Sequence, residues 1–227
     1  MLLTVCGIPR SGSTVLWQIT RAAFPGDQIG KAHPGMYNHE SAEQVMLVNG
    51  EVKTVDVRGV PVFVSIRNPW DVAASRFRFR GIRTAEDNNL QSEAGLHAEL
   101  EEMKKGFNGL EKLRGYEKTV IFRYHEFFGN LMVIIDGLEK FMGCSFNPEA
   151  KKQWLEEFSF ENNLRRSNSG DKDVLRHYQI YPGHVGVGVP WTWRGIIPPW
   201  GYKMMDEYCK PIAERWGYVD QTGEFGG

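Results

Sequence analysis

The stretch VCGIPRSGSTVLW, near the start of the chain, constrains the fold most tightly, because it sets a glycine-bounded loop between an apolar run and an amphipathic one. Leu2 to Cys6 reads as a short buried strand. Val15, Leu16, Ile19 and Ala23 recur at helical spacing until Phe24-Pro25-Gly26 ends the pattern. Strand, glycine loop and helix in that order are the setting of a phosphate-binding loop. The N–H groups at the start of the helix are unpaired and the helix dipole lies behind them, so they attract an anion that glycine lets the backbone approach. In the nucleoside-triphosphate version, Gly-x-x-x-x-Gly-Lys-Ser/Thr, the lysine reaches the outer phosphates and the hydroxyl binds magnesium. Here Ser13 occupies the lysine position before Thr14, and a cation stands earlier, at Arg10. Ser13 can donate a hydrogen bond but cannot neutralise charge, which argues against transfer of a terminal phosphate. An ordinary strand-to-helix turn carrying an exposed arginine is the plainer alternative.

At 227 residues the chain has room for a full core, and we expect one domain over 1–227. Lys+Arg 27 balance Asp+Glu 28, so there is no general attraction to nucleic acid or to an anionic membrane, and an anion site must be built locally. Cys6, Cys144 and Cys209 are scattered, with no C-x-x-C pair, which argues against a disulfide framework or structural zinc and suits a reducing, cytoplasmic setting. His39, His125 and His184 have no metal-ligand spacing, so no metal is expected. The segment MLLTVCG is too short for a signal peptide or a membrane span.

Further along, DQIGKAH and Val60 to Ile66 read as strands, the second apolar enough to be covered on both faces. Asn68 is a good N-cap for a helix that has Pro69 at its first position and Asp71 where a capping-box acid belongs. Leu96, Leu100, Met103, Phe107 and Leu110 share one helical side, and TVIFRY is another strand. Helices are expected from Asn130 to Gly143, from Pro148 onward, and near the C-terminus with a kink or break at Pro211; NNLRRSNSGDK reads as a polar loop. Strands alternating with helices predict an α/β fold, three layers around a mostly parallel sheet, with ligands outside the carboxyl ends of the strands. The glycine loop and Arg67 both fall at such ends. Stretches 34–55, 84–95 and 163–183 are expected to be pocket-lining loops.

PRSGST resembles the 5′-phosphosulfate loop of sulfotransferases that use 3′-phosphoadenosine 5′-phosphosulfate (PAPS) on a P-loop NTPase-like fold. A donor with one sulfated phosphate and no outer phosphate chain keeps the cradle and dispenses with the lysine. RNPWDVAAS is similar to the 3′-phosphate segment of the cytosolic members; the match assigns that phosphate to Arg67 and Ser75, about two helical turns apart. Taken alone, the same residues describe a well-capped helix with a surface serine. GKAHPG resembles the K-T-H segment, which implies His33 as the base for the acceptor hydroxyl, with Glu40 in reserve.

The resemblance further implies that Arg10 and Lys31 stabilise charge on the bridging oxygen, and that Ser11, Gly12, Ser13 and Thr14 cradle the 5′ end. RYHEF looks like the family's R-Y-E-D segment with a histidine inserted, which sets Tyr124 near the adenine nucleotide. HVGVGVPWTWRG is loosely similar to a late segment that closes over the nucleotide, through His184, Gly186, Gly188, Trp193 and Arg194, but it lacks the Arg-Lys-Gly triplet. The implied reaction is direct in-line transfer to a hydroxyl or amine of a small-molecule or glycan acceptor, with adenosine 3′,5′-bisphosphate (PAP) as product and no metal. The rival readings are a P-loop nucleotide kinase or NTPase and a non-catalytic nucleotide-binding module. Arg76, Arg78, Arg80 and Arg83 form either a solvated face or a positive rim to the site, with Phe77 and Phe79 packing inward.

Overall fold

The structure is a computed structural model that describes residues 1–34, 37–83, 92–180, 185 and 189–218, without the side chains of 80–83. His184, Gly186 and Gly188, and the side chains of Arg80 and Arg83, lie outside the described residues.

Strand β1 (Leu2–Gly7) is buried beyond its first residue and sits centrally in a six-stranded sheet formed by the described strands. It pairs in parallel with β2 (Gln28–Ala32) on one side and β5 (Val62–Ile66) on the other, and β5 pairs in parallel with β6 (Thr119–Arg123). Every residue of β5 is buried, because helices cover both of its faces. Beyond β2 the sheet turns antiparallel: β3 (Gln44–Val48) pairs with β2, and β4 (Glu51–Val55) with β3, giving the order β4-β3-β2-β1-β5-β6.

The hairpin β3–β4 replaces the loop expected over 34–55. Its turn is Asn49-Gly50, both at positive φ (49° and 92°), the pair of conformations a tight two-residue hairpin needs.

Helices form two layers around the sheet. On one face α1 (Ser13–Ala23) and α5 (Met132–Met142) pack Leu16, Trp17, Ile134 and Leu138 against Leu3, Val5 and Phe63. On the other, α2 (Pro69–Arg83), α3 (Glu93–Arg114) and α9 (Tyr202–Trp216) enclose Val62, Val64 and Ile66 with Trp70, Leu100, Phe107 and Trp216. Between α4 (Tyr124–Phe127) and α9 the chain forms α6 (Pro148–Glu157), α7 (Phe160–Ser169) and α8 (Lys172–Tyr178) after α5. The α/β three-layer arrangement agrees with the sequence reading.

Some details of that reading change. The polar stretch 162–172 is not a loop: α7 starts on the Ser159 cap and α8 on the Asp171 cap, and Gln18 of α1 and Asn163 of α7 satisfy one another in the buried seam (3.2 and 3.1 Å). Helix α5 begins two residues after Asn130, and α9 continues through Pro211. Helix α3 runs through Gly106, where a Cβ would press on Ile8 at 3.3 Å. Among the described residues no helix is long and apolar enough to cross a membrane.

Candidate active site

The carboxyl ends of β1, β2, β5 and β6 open onto one cavity of about 1210 Å³. Its wall includes Arg10, Gly12 to Thr14, Lys31, His33, Arg67, Ser75 and Tyr124, so most of the sequence-predicted residues come together there.

The β1–α1 turn is built from backbone. Gly12, at φ 89°, caps α1 in the left-handed region, and a Cβ on it would lie 2.7 Å from the rings of Phe127 and Tyr124. Gly7 is equally confined, since a Cβ would meet Ser65 Oγ at 2.5 Å and Ser13 Cβ at 2.8 Å. Only glycine lets the loop lie this close to its floor. Ser11 corrects one expectation: its hydroxyl is fully buried and shares a hydrogen bond of 2.9 Å with Ser65 Oγ, so its side chain braces the loop from beneath instead of lining the cavity. Thr14 Oγ1 accepts from Lys31 Nζ at 3.2 Å, which joins the first turn of α1 to β2.

The β5–α2 turn is built from side chains. Asn68 Oδ1 accepts from the N–H of Trp70 (2.9 Å) and Asp71 (3.4 Å), the cap the sequence implied. Asp71 does not close a capping box. Its carboxylate lies 3.7 Å from Arg67 Nε and accepts from the backbone N–H of Trp191 (2.7 Å) and Thr192 (3.1 Å), fastening the late segment to α2. Arg67 lies on the face of Tyr124, its guanidinium carbon 4.4 Å from the ring centroid, and donates to the Val189 carbonyl at 3.3 Å.

Arg10 crosses between the two turns. It adopts φ 80°, a strained conformation for a non-glycine residue that costs about 1–3 kcal/mol. The strain aims Nε at Ser75 Oγ, 3.0 Å away, with the guanidinium 4.7 Å above Phe79. The loop arginine is thus directed toward α2 while remaining in the wall beside Gly12 to Thr14. Phe77 packs in the core, whereas Phe79 lines the cavity under Arg10. Arg76 and Arg78 line the cavity as well, so this part of the arginine run forms a rim and not a solvated face, and Glu99 takes up Arg76 at 2.7 Å.

Burial and like charges set the ionisation of these groups. Burial lowers the Lys31 ammonium to about 8. Burial, with Arg78 and Arg67 adding to it, lowers Arg10 to about 10. His33 is pushed below the ordinary imidazole range by desolvation, then by Lys31 and Arg76, against an opposing hydrogen bond with the backbone of Gly7. Its ring is neutral at pH 7 and it stands exposed on the cavity wall, the state a proton acceptor requires.

Other expected residues lie elsewhere. Glu40 borders a second pocket with Tyr37, His39 and Tyr116, apart from the cavity that holds His33. Trp193 is 1% exposed and packs against Trp70 in the core, because Asp71 pulls its segment inward; it has no open face on which a base could stack. Arg194 is exposed, its guanidinium 5.1 Å from the Trp193 ring centroid, and does not line the cavity. Among the described residues no group of His, Cys, Asp or Glu could hold a metal ion. Sequence reasoning packed Phe79 inward instead of on the cavity wall and left Arg78 undecided, although the latter's spacing of three from Ser75 on a helix was a readable sign.

A family model described as a sulfotransferase domain matches residues 3–174. Among solved structures, the crystal structure of mouse sulfotransferase SULT7A1 complexed with PAP aligns with a TM-score of 0.64 at 14% sequence identity, covering 99% of this chain and 88% of that one. At that identity the likeness is one of fold. No curated protein sequence matches significantly.

Proposed function

The chain belongs to the sulfotransferase-domain family and is an enzyme that transfers sulfuryl groups from PAPS; from that premise we propose that its β1–α1 and β5–α2 turns hold opposite ends of the same donor. The observation that carries this is the hydrogen bond of 3.0 Å from Arg10 of the first turn to Ser75 of the second, within one cavity. The residues present suit a doubly phosphorylated nucleotide. Arg10 Nη1 and Arg78 Nε are buried in the wall with no partner among the described residues, and such donors are costly to leave unmade unless a ligand takes them up.

The N–H groups from Gly12 to Thr14 and the Lys31 ammonium face the 5′ end in this reading, and Arg67 and Ser75 the 3′-phosphate. The donor brings the activated sulfuryl group. His33, neutral and open to the cavity, takes the proton of the acceptor hydroxyl or amine, and Arg10 and Lys31 with the loop N–H groups stabilise negative charge gathering at the 5′ end. Tyr124, fixed by Arg67 above it and Gly12 beside it, borders the nucleotide.

We read the acceptor as a small molecule or glycan, the whole of 1–227 as one domain, and the setting as cytoplasmic. The free state of Cys6, Cys144 and Cys209 supports a reducing compartment.

Thermal unfolding with added nucleotide tests the donor assignment. PAP without magnesium raises the midpoint, because a ligand that binds only the native state stabilises it by RT ln(1 + [L]/Kd). A response to ATP with magnesium, and none to PAP, would establish the nucleotide-kinase reading instead.

A further inference from the structure

The β3–β4 hairpin carries apolar side chains on both faces, and one of those faces is left open. Met46 and Val48 turn into the core and are buried, Met46 against Gly30. Alternation turns Val45 and Leu47 to the other face, where the register adds Val52, directly across from Leu47, and Thr54, across from Val45. Glu51 and Lys53 fall on the Met46 side and pair with one another at 2.9 Å, so the two strands place no charged side chain on the Val45 face. Val45 is 60% exposed and Val52 75%, and among the described residues they are the exposed large apolar side chains that line the cavity. This face is continuous with the reaction site. Leu47 pairs with Lys31, whose ammonium reaches Thr14 on α1 at 3.2 Å. Lys31, Leu47 and Val52 therefore form one row across β2, β3 and β4, with about 5 Å from strand to strand. Because β2 and β3 run antiparallel, Val45, two residues before Leu47, lies toward His33, two residues after Lys31. The cavity, at about 1210 Å³, exceeds the ~300–1,000 Å³ typical of a single-ligand site, which leaves room for a second molecule beside a nucleotide.

We propose that this face of the hairpin is the acceptor wall, and that the acceptor is a hydroxyl borne on an uncharged, apolar body, aryl or alkyl, rather than a glycan. The assignment rests on the reading of the two turns as the donor site and of His33 as the base. An apolar body covers Val45, Leu47 and Val52 and gains by leaving water, with its hydroxyl toward His33 and its hydrocarbon along the row. In the transfer the acceptor oxygen bonds to sulfur as the bond from sulfur to the 5′-phosphate oxygen breaks, and the hydroxyl proton passes to His33. A sugar ring laid on the same row turns hydroxyls toward aliphatic side chains that offer no hydrogen bond, and each hydroxyl buried there gives up its water partners. Exposed valines on an edge hairpin invite aggregation, and here a substrate is what covers them.

Calorimetric titration of the PAP-loaded full chain with 2-naphthol, 1-octanol and methyl β-D-glucoside tests the wall. Wild type is compared with Val45→Thr and Val52→Thr, which keep the shape and β-branching of valine and exchange a methyl for a hydroxyl. Wild type is expected to bind 2-naphthol and 1-octanol at least about 10-fold more tightly than the glucoside. Each threonine is expected to weaken both apolar probes by about three- to tenfold, the scale of one lost methyl contact, and to leave the PAP dissociation constant within about twofold. Both valines are exposed, so the variants should unfold at the wild-type temperature without ligand. If PAP binds but the glucoside binds as tightly as the apolar probes, or the threonine variants leave those probes unchanged, the hairpin is not the acceptor wall and the donor reading stands. If PAP itself does not bind, the donor reading falls and the wall with it.

Discussion

The two strand-to-helix turns at the carboxyl ends of β1 and β5 are neighbours in the sheet and both face the cavity, yet they are made of different material. The β1–α1 turn presents backbone: Gly12 is left-handed against two aromatic rings, and Ser11 points into the floor. The β5–α2 turn presents side chains, with Arg67 on Tyr124, Ser75 on α2, and Asp71 holding the 191–192 segment in place. A cradle of N–H groups recognises any phosphate that reaches it, and it fails only when the path of the chain is altered. A cluster of guanidiniums and a hydroxyl distinguishes one phosphorylated position from another and can be dismantled one group at a time. The first turn thus supplies the general grip and the second the choice of donor, and Arg10 couples them.

The largest expected effect lies outside both turns. His33→Ala should lower turnover by about 10²- to 10⁴-fold, the usual loss on removing a general base, and leave the PAP dissociation constant unchanged. A steady-state assay beside a binding titration separates the two quantities. An equal loss in both would move His33 into the binding site.

Gly12→Ala breaks the backbone turn. The left-handed conformation costs a side chain about 1–2 kcal/mol, and displacing the rings of Phe127 and Tyr124 adds about 1–3. Denaturant unfolding should show destabilisation of about 2–5 kcal/mol on those same grounds. PAP and AMP should both weaken, because both use the N–H groups.

Lys31 sharpens the comparison through pH. Its cation is disfavoured in the folded state, to about 8 from an ordinary 10.5, so the unfolded chain binds the extra proton between those values. Stability without ligand should therefore rise with pH across that window. An anion at the first turn prefers the protonated lysine, so nucleotide affinity should fall above pH 8, by up to about tenfold per unit. Titrations at several pH values check both trends, and Lys31→Met should flatten them.

The smallest effect is at the second turn. Ser75→Ala removes one hydroxyl and should weaken PAP by about three- to tenfold, with AMP unaffected. Loss of AMP binding in that variant would erase the distinction between the turns.

The fold was largely legible because its determinants are local. The glycine loop, the Asn68–Pro69 cap and the apolar run of β5 each state their own conformation. The hairpin β3–β4 was read as a loop, although Asn49-Gly50 after the apolar run Val45 to Val48 was a readable turn signal. Helices α7 and α8 were hidden by polarity: Asn163 is buried with Gln18, 145 residues earlier, and the Phe158 carbonyl among its partners. The site was legible as a set of residues and not as an arrangement. No spacing in the sequence says that Arg10 turns toward Ser75, that Ser11 turns away, or that Asp71 leaves its own helix end to draw Trp193 into the core. Those outcomes depend on partners brought together by the sheet.

A structure of the chain with PAP bound tests the central claim most directly. It should show one nucleotide per chain, its 5′-phosphate on the N–H groups of residues 12–14 and its 3′-phosphate between Arg67 and Ser75. A PAP molecule that engages only one turn, or two molecules each occupying a turn of their own, would contradict it.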